Sequence, residues 1–511
     1  MEYLLGLDIG TTHLKGGAFT TDGKVAALKL VKTPVIDLGR GRAVYDPDTL
    51  WSSIRSLIRQ VLAELGPNGK ILSIAAASMG EAGLLIDDQG KPLTPILAWH
   101  DTRGEEVVDE WITEFGSRQT FAITGLEPGY IFSLMKLLWY KRHQPQILSK
   151  AHKWLCMMDY IIYKLSGEFA TEYSVASRTM LFDIHRKNWS EEIVDFAGLD
   201  IGLLPDAHPG GKIVGYTTKA ASAATGVPVG VPVCTGGHDH ICGAFAVGAF
   251  GPGHGLDSLG TAESLVMAYD TMAALDMENV RSRGYSLGCH VVGGGQYLLG
   301  AVNASGLSVE WFKDEFCFQE FVIAEKQGKS IYDVLIEEAN KSPIGAGGLI
   351  YVPQLRGAGP PNPDPRSRGA FLGLRDYHSR GDCLRAVFEG MAMQFGLVLT
   401  EAETALKLEI PKLQASGGGT KNRILMEIKT AVLNRPIEVP AVQESTLFGA
   451  ALLGGLGIGV YRNEHDAWKR TYKVSQVYEP NQQLTNAYEN VREVYAKVLP
   501  LIQKASKIIA E

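Results

Sequence analysis

Tyr3-Leu4-Leu5-Gly6-Leu7-Asp8-Ile9-Gly10-Thr11-Thr12 is a short apolar strand pattern closed by a carboxylate, a glycine and two hydroxyls. A strand of this kind delivers its last residues to one end of a sheet. There a glycine lets the backbone approach a ligand, and threonine hydroxyls can donate to phosphate oxygens. Asp8 adds a carboxylate able to hold a divalent cation through water. The second half of the chain carries a counterpart, Asp257-Ser258-Leu259-Gly260-Thr261. One such turn per half points to a polyphosphate gripped between two related lobes.

Around the first turn, residues 3–36 read as successive strands, with a hairpin turn at Thr21-Asp22-Gly23-Lys24. Asp46 then caps a helix to about residue 65, with Leu50, Ile54, Leu57, Ile58 and Val61 at helical spacing. Residues 71–78 and 84–86 read as buried strands, and residues 103–168 as mostly helical. Residues 229–249 read as a strand, a glycine turn and a small-residue helix, the crossover between the halves. Strands follow within 255–269, 285–290 and 297–301, then helices over 305–341 and 381–406. A strand at 413–416 precedes helices at 422–433, 447–459 and 482–509. Each half thus runs strand, turn, strands, helices, a weak internal repetition of order. The fold class predicted is α/β, two lobes with mixed sheets and a cleft between them. The division expected is residues 1–245 and 246–511.

Length and composition agree with two domains. The chain has 511 residues, 45% hydrophobic and 21% charged, more than one hydrophobic core usually supports. Lys+Arg 49 against Asp+Glu 56 gives a net charge of −7, which disfavours nucleic acid or an anionic membrane as partner. The six cysteines are scattered without a CxxC pair, as expected of thiols in a reducing, cytoplasmic setting. A strand pattern beginning at once, with Glu2, gives no expectation of a signal peptide. No uninterrupted apolar run reaches membrane-spanning length.

The strongest single site is Thr235-Gly236-Gly237-His238-Asp239-His240, which follows the apolar run Val231-Pro232-Val233. Glycines before Asp239 expose its carboxylate at a cleft mouth, where it can take the proton of a hydroxyl attacking phosphorus. The plainer reading is that Asp239 caps the following helix. His238 and His240 share one face of an extended segment and so could pair on a metal. With no Cys or His cluster nearby in sequence, that reading is the weaker one. Ser416-Gly417-Gly418-Gly419-Thr420-Lys421-Asn422 lacks P-loop spacing. Its glycines suit a flat base or ribose, with Asn422 at the base edge. Met79-Gly80-Glu81 and Trp99-His100-Asp101-Thr102-Arg103 each follow an apolar strand. Carboxylates and an indole suit a polyol or sugar. An Asp101–Arg103 ion pair organising the loop is compatible with that role.

In this order the segments resemble the FGGY carbohydrate kinase family of the actin/hexokinase-like superfamily, over nearly the whole chain. Gly6 to Thr12 with Lys15 resembles its first phosphate motif, Trp99 to Arg103 its substrate loop, and Gly236 to Asp239 the segment of its catalytic base. Leu259-Gly260-Thr261-Ala262 resembles the second phosphate motif, and Gly417 to Gly419 with Asn422 the adenosine motif. Two signature regions are present in altered form. Ser133, Lys136 and Trp139 keep the first, from which Ile131 and Tyr140 depart. Residues 369–374 and 385–390 keep most of the second, with Cys383 off pattern.

The resemblance implies ATP- and Mg2+-dependent phosphorylation of a sugar or polyol hydroxyl, with Asp239 as general base and Asp8 holding the metal. Thr11, Thr12, Lys15, Gly260 and Thr261 would face the phosphates. Gly306, Glu310, Gly418, Gly419 and Asn422 would line the nucleotide. Met79, Glu81, Trp99, Asp101, Arg103 and His240, with Asp239, would contact the sugar. The residues at 80–81 and 240 differ from those of glycerol kinases, and residues 78–81 from the Met-His-Gly stretch of xylulose kinases. Xylulose or a related ketose or polyol is the substrate expected. Association as a homodimer is compatible with the resemblance. The rival from another class is a non-catalytic nucleotide- or sugar-binding protein on the same scaffold, against which stands the retention of both Asp8 and Asp239.

Overall fold

The computed structural model describes residues 1–270 and 275–510 and places the opening apolar run at the centre of a sheet. Every residue of β1 (Glu2–Ile9) after Glu2 is buried, as an unbroken apolar strand covered on both faces must be. β2 (His13–Thr20) and β3 (Val25–Lys32) return antiparallel through the expected turn. α1 (Pro47–Leu65) begins where the Asp46 carboxylate accepts from Thr49 N at 2.8 Å, a good N-cap with proline in the first turn. Its apolar stripe packs on β2 and β3. β4 (Lys70–Ser78), β5 (Ile213–Tyr216) and β6 (Pro232–His238) complete a six-stranded sheet, order β5-β6-β4-β1-β2-β3. β1, β4 and β6 run parallel.

β6 leads directly into α2 (Asp239–Val247). The glycine turn expected here is corrected: Gly236 and Gly237 lie within β6 at a bulge in its pairing with β4. A Cβ at 236 would stand 1.8 Å from the Ala76 carbonyl oxygen. Close approach of two backbones, not chain reversal, calls for glycine there.

The second half repeats the order. β7 (His254–Leu259), β8 (Glu263–Tyr269), β9 (Ser286–Cys289) and β10 (Gln296–Val302) come first, then α3 (Ser305–Phe316) and α4 (Arg380–Leu406). β11 (Lys412–Ser416), α5 (Arg423–Leu433), β12 (Ile437–Pro440), α6 (Ser445–Gly457) and β13 (Val474–Tyr478) follow. The seven-stranded sheet is ordered β9-β10-β8-β7-β11-β12-β13, with β11 and β12 parallel to β7. β1-β2-β3 with β4 thus matches β7-β8-β10 with β11. α4 is, among the described residues, the helix long and apolar enough to cross a membrane, yet it is mostly buried as the spine of the second core.

Sequence reading missed some pieces. The helical stretch 103–168 contains a strand, Lys153–Cys156, at the edge of a separate five-stranded sheet with Val35–Gly39, Arg42–Tyr45, Gly83–Ile86 and Ile96–Leu97. The helices expected over residues 305–341 are three, Ser305–Phe316, Phe318–Gln327 and Ile331–Asn340.

Each sheet has its own core, and a third core joins them. There Leu4, Phe19 and Ala77 of the first sheet meet Leu256 and Val266 of the second through α2 and α6. α6 comes from the second half but packs on β1, β4 and β6. The helices lie so close that a Cβ on Gly449 would reach within 1.9 Å of the Cys242 carbonyl oxygen. The carboxyl ends of β1, β6, β7 and β11 consequently open on one cleft, the usual ligand-binding edge of an α/β sheet.

Candidate active site

At that edge Asp8, Thr11, Thr12, Lys15, Asp239, His240, Gly260 and Thr261 line one cavity of about 330 Å³. The first turn and the residue after β6 supply one wall, the second turn the other. Ser258, Ser416, Ser445 and Thr446, which the sequence reading did not single out, add hydroxyls. Ser445 and Thr446 open α6, so the helix that joins the lobes also presents its first turn to the cavity.

Asp8 is buried, with Oδ2 3.4 Å from Lys15 Nζ. β1 and β2 pair Asp8 directly with Lys15, which fixes both side chains at the cavity. Lys15 also donates to Glu444 at 2.7 Å. Burial pushes the Asp8 carboxyl up to about 7 against the pull of Lys15, and the charge of Asp239 adds to the rise. Its Oδ1 is buried with no hydrogen-bond partner among the described residues. A buried carboxylate with one oxygen near a lysine and the other without a partner, on a residue lining a polar cavity, fits a hydrated divalent cation.

Asp239 is the first residue of α2; His238 occupies the N-cap position. Its carboxylate therefore does not cap the helix in the ordinary way. Oδ1 accepts from the backbone N of His240 at 2.7 Å and from His240 Nδ1 at 2.7 Å. His238 Nε2 stands 3.3 Å from the same oxygen. Burial would raise this carboxyl, but the two imidazoles, His240 first, hold it well below the usual carboxylate range. His238 is buried and pushed down to about 4 by that burial. His240 is raised by Asp239 against its own burial. Ligand-type atoms of His238, Asp239 and His240 lie within 4.8 Å of one another, but both rings direct that proximity onto Oδ1.

Of the residues expected to contact the sugar, His240 and Asp239 line this cavity, while Met79, Glu81, Trp99, Asp101 and Arg103 do not and stand on loops next to strands of the five-stranded sheet. Glu81 is buried and paired with Arg178, Nε at 2.7 Å and Nη2 at 2.6 Å. Burial opposes its ionisation, and Arg178, His238 and Lys136 together hold its carboxyl below the usual range. Trp99 Nε1 donates to Thr11 Oγ1 at 3.2 Å, and the same hydroxyl reaches Met79 Sδ at 4.0 Å. That links the loops at 79–81 and 99–103 to the first Gly-Thr turn. Asp101 is fully buried: it accepts from Arg103 Nε at 2.7 Å, Arg103 Nη2 at 3.1 Å and Ala43 N at 2.9 Å. Its geometry is that of a loop organiser.

Lys136 explains why that signature position carries a lysine. It is wholly buried, and Nζ donates to the Glu81 carbonyl at 2.7 Å and the Trp99 carbonyl at 3.3 Å. It thereby clamps the two loops to one another. Trp139 lies 5.0 Å under the Arg103 guanidinium.

Gly260 and Thr261 also line a second cavity of about 690 Å³, with Gly306, Glu310, Gly418, Gly419 and Asn422. A Cβ on Gly306 would lie 2.3 Å from the Gly260 carbonyl oxygen, so glycine lets α3 seat directly on the second turn. Asn422 caps α5, Oδ1 accepting from Leu425 N at 3.2 Å. Glu310 accepts from Tyr332 OH at 2.5 Å and Lys313 Nζ at 2.6 Å. Tyr332 lines the cavity and was not anticipated. The two cavities share a wall at Gly260-Thr261, about 330 Å³ on one side and about 690 Å³, large enough for a nucleoside, on the other.

The family model of the FGGY carbohydrate kinase N-terminal domain matches residues 3–246, and that of the C-terminal domain residues 258–458. The chain is 26% identical over 504 residues to a xylulose kinase of Staphylococcus xylosus, covering 98% of this chain and 100% of that protein. It is 24% identical over 511 residues to a gluconokinase of Bacillus subtilis, covering 100% and 98%. Among solved structures, a gluconate kinase from Lactobacillus acidophilus superimposes with a TM-score of 0.89 at 22% identity, covering 99% of each chain, a likeness of fold. With both domain models matched in order across the cleft just described, the chain belongs to the FGGY family of carbohydrate kinases.

Proposed function

We propose that Asp239 is the general base of this kinase, that Asp8 holds the metal, and that the acceptor is a short open-chain sugar, xylulose or a related ketose or polyol. The protein is an ATP- and magnesium-dependent carbohydrate kinase; what is proposed is how its residues divide the reaction. The observation that carries the reading is the single cavity shared by Asp8, Asp239 and both Gly-Thr turns. Residues 1–245 then act as the sugar-side lobe and 246–511 as the nucleotide-side lobe.

Asp239 takes the hydroxyl proton as that oxygen attacks the terminal phosphorus and ADP leaves. A carboxylate held below the usual range is a weak base, which suffices for a loose transition state in which the hydroxyl loses its proton late. Thr11, Thr12 and the Gly260-Thr261 turn donate to the phosphate oxygens, and Lys15 neutralises charge. A divalent cation at Asp8 supplies further neutralisation when bound. Closure of the cleft excludes water that would otherwise take the phosphoryl group. Full-length kinship with a xylulose kinase supports the ketose reading.

The test is an ADP-release screen over pentuloses, tetruloses, pentitols and gluconate, run with the wild-type protein and Asp239→Ala. A pentulose is expected to give the highest kcat/KM. Asp239→Ala is expected to lose on the order of 10²- to 10⁴-fold in kcat. Undiminished turnover in that variant sinks the base assignment, and a clear preference for gluconate sinks the ketose.

A further inference from the structure

We propose that His240 is a positioning residue for Asp239: it holds Oδ1 through two donors and leaves Oδ2 as the oxygen presented to the sugar hydroxyl. This rests on the reading of Asp239 as the base. The backbone N–H and ring Nδ1 of His240 both meet Oδ1 at 2.7 Å, and His238 Nε2 approaches the same atom at 3.3 Å. Among the described residues no hydrogen bond reaches Oδ2. The two rings stack with centroids 5.3 Å apart and 24° between planes, so buried His238 backs the ring of His240 and limits its rotation.

A carboxylate with one oxygen held in this way cannot turn about its Cβ–Cγ bond. That preorganisation matters for proton transfer, where small misplacements of the base are expensive in rate. In the step itself the hydroxyl O–H breaks and its proton goes to Oδ2. The hydroxyl oxygen bonds to phosphorus as the bond from phosphorus to the ADP oxygen breaks. His240 exchanges no proton; with Nδ1 protonated it is a donor throughout. The charged groups around His240 are Asp239, Glu81 and Arg178, with His238 beside it and Asp8 acting on Asp239 from β1.

Positioning through Nδ1 makes a prediction that sugar contact does not. In His240→Asn the amide nitrogen falls near the place of Nδ1; in His240→Gln it falls near the place of Nε2. Steady-state kinetics of His240→Asn, His240→Gln and His240→Ala, each against sugar and ATP, separate the two. His240→Asn is expected to keep kcat within about 5-fold, while Gln and Ala lose ~10- to 100-fold in kcat with KM for ATP unchanged. The acid limb of the kcat profile is expected to move to higher pH in Gln and Ala, because losing a donor lets the Asp239 carboxyl rise. Calorimetric ATP binding confirms that each variant is folded. The inference is overturned if Asn is no better than Gln and Ala, or if KM for the sugar rises in all three with kcat intact. Undiminished turnover in Asp239→Ala removes the base assignment itself, a separate failure.

Discussion

The two Gly-Thr turns occupy equivalent places in equivalent sheets, yet their aspartates do opposite things. Asp8, next to last on β1, lines the cavity of the first turn, with one oxygen near Lys15 and the other buried without a hydrogen-bond partner among the described residues. Asp257 is fully buried on β7, where Lys429 of α5 pairs with it and with Glu263 of β8. Lys429 is itself wholly buried, 3.8 Å above the Phe395 ring. Glu263 also accepts from the Ser305 hydroxyl at the start of α3. One carboxylate is left available for chemistry, and the other belongs to a buried lattice beneath a turn that needs only its backbone and Thr261. A repeated motif therefore does not carry a repeated role, and what separates the two is the lysine each aspartate meets, Lys15 from the neighbouring strand for Asp8 and Lys429 from α5 for Asp257.

The largest effect should come from removing that partner. Lys429→Met leaves the Glu263 carboxylate buried without its cation, and breaking a buried pair from one side costs about 3 to 5 kcal/mol. Replacing both members, Lys429→Met with Glu263→Gln, should recover most of the loss, because burial already raises the carboxyl of Asp257 and lets it stay neutral. Urea midpoints of the single and double variants decide the matter. Equal destabilisation in both would mean that the lattice is not held by charge pairing.

The same contrast marks where sequence reading reached and where it stopped. The Asp8 turn, the Asp46 cap and the opening run of strands over residues 3–36 were legible because each is written in consecutive residues or in local spacing. Arg178, Glu444 and Lys429 were not, nor was the contact that Lys136, named only as a signature residue, makes, since each acts on a partner distant in the chain, as Lys15 with Glu444 and Lys136 with Glu81 show. Lys429 left one trace: it stands on the apolar stripe of Leu425, Ile428 and Val432, a charge on the buried face of a helix. Cys156 lies in a strand that was missed because four residues before a helical pattern carry no period of their own.

A matched pair of substitutions tests the two aspartates directly. Asp8→Asn should lower kcat by on the order of 10²-fold, since charge stabilisation at the transferring phosphoryl group is lost. Asp257→Asn should leave kcat within about 3-fold, as expected of a group that faces no cavity. The stability signature of Asp8 runs the other way. Its folded carboxyl titrates near 7, above the unfolded value of 3.8, so the stability that protonation contributes is complete at low pH and lost as pH rises through 7. Without divalent cation, Asp8→Asn should therefore be the more stable protein at pH 8, by on the order of 3 kcal/mol, with the difference fading towards pH 4. Thermal melts across that range would break the comparison if the two curves ran parallel.

The smallest effect tests whether the buried lattice touches function at all. Ser305, the first residue of α3, donates to Glu263, and the next residue, Gly306, seats on the Gly260 carbonyl at the wall shared by both cavities. Ser305→Ala removes one hydrogen bond to a charged group, which costs about 1.5 to 3 kcal/mol. Because the lost contact anchors the nucleotide side alone, KM for ATP should rise about 3-fold while KM for the sugar stays unchanged. A rise confined to the sugar would show that α3 governs closure of the cleft instead of the second turn. No change in either constant would leave the lattice a matter of folding, with Asp8 as the one aspartate of the pair that the reaction uses.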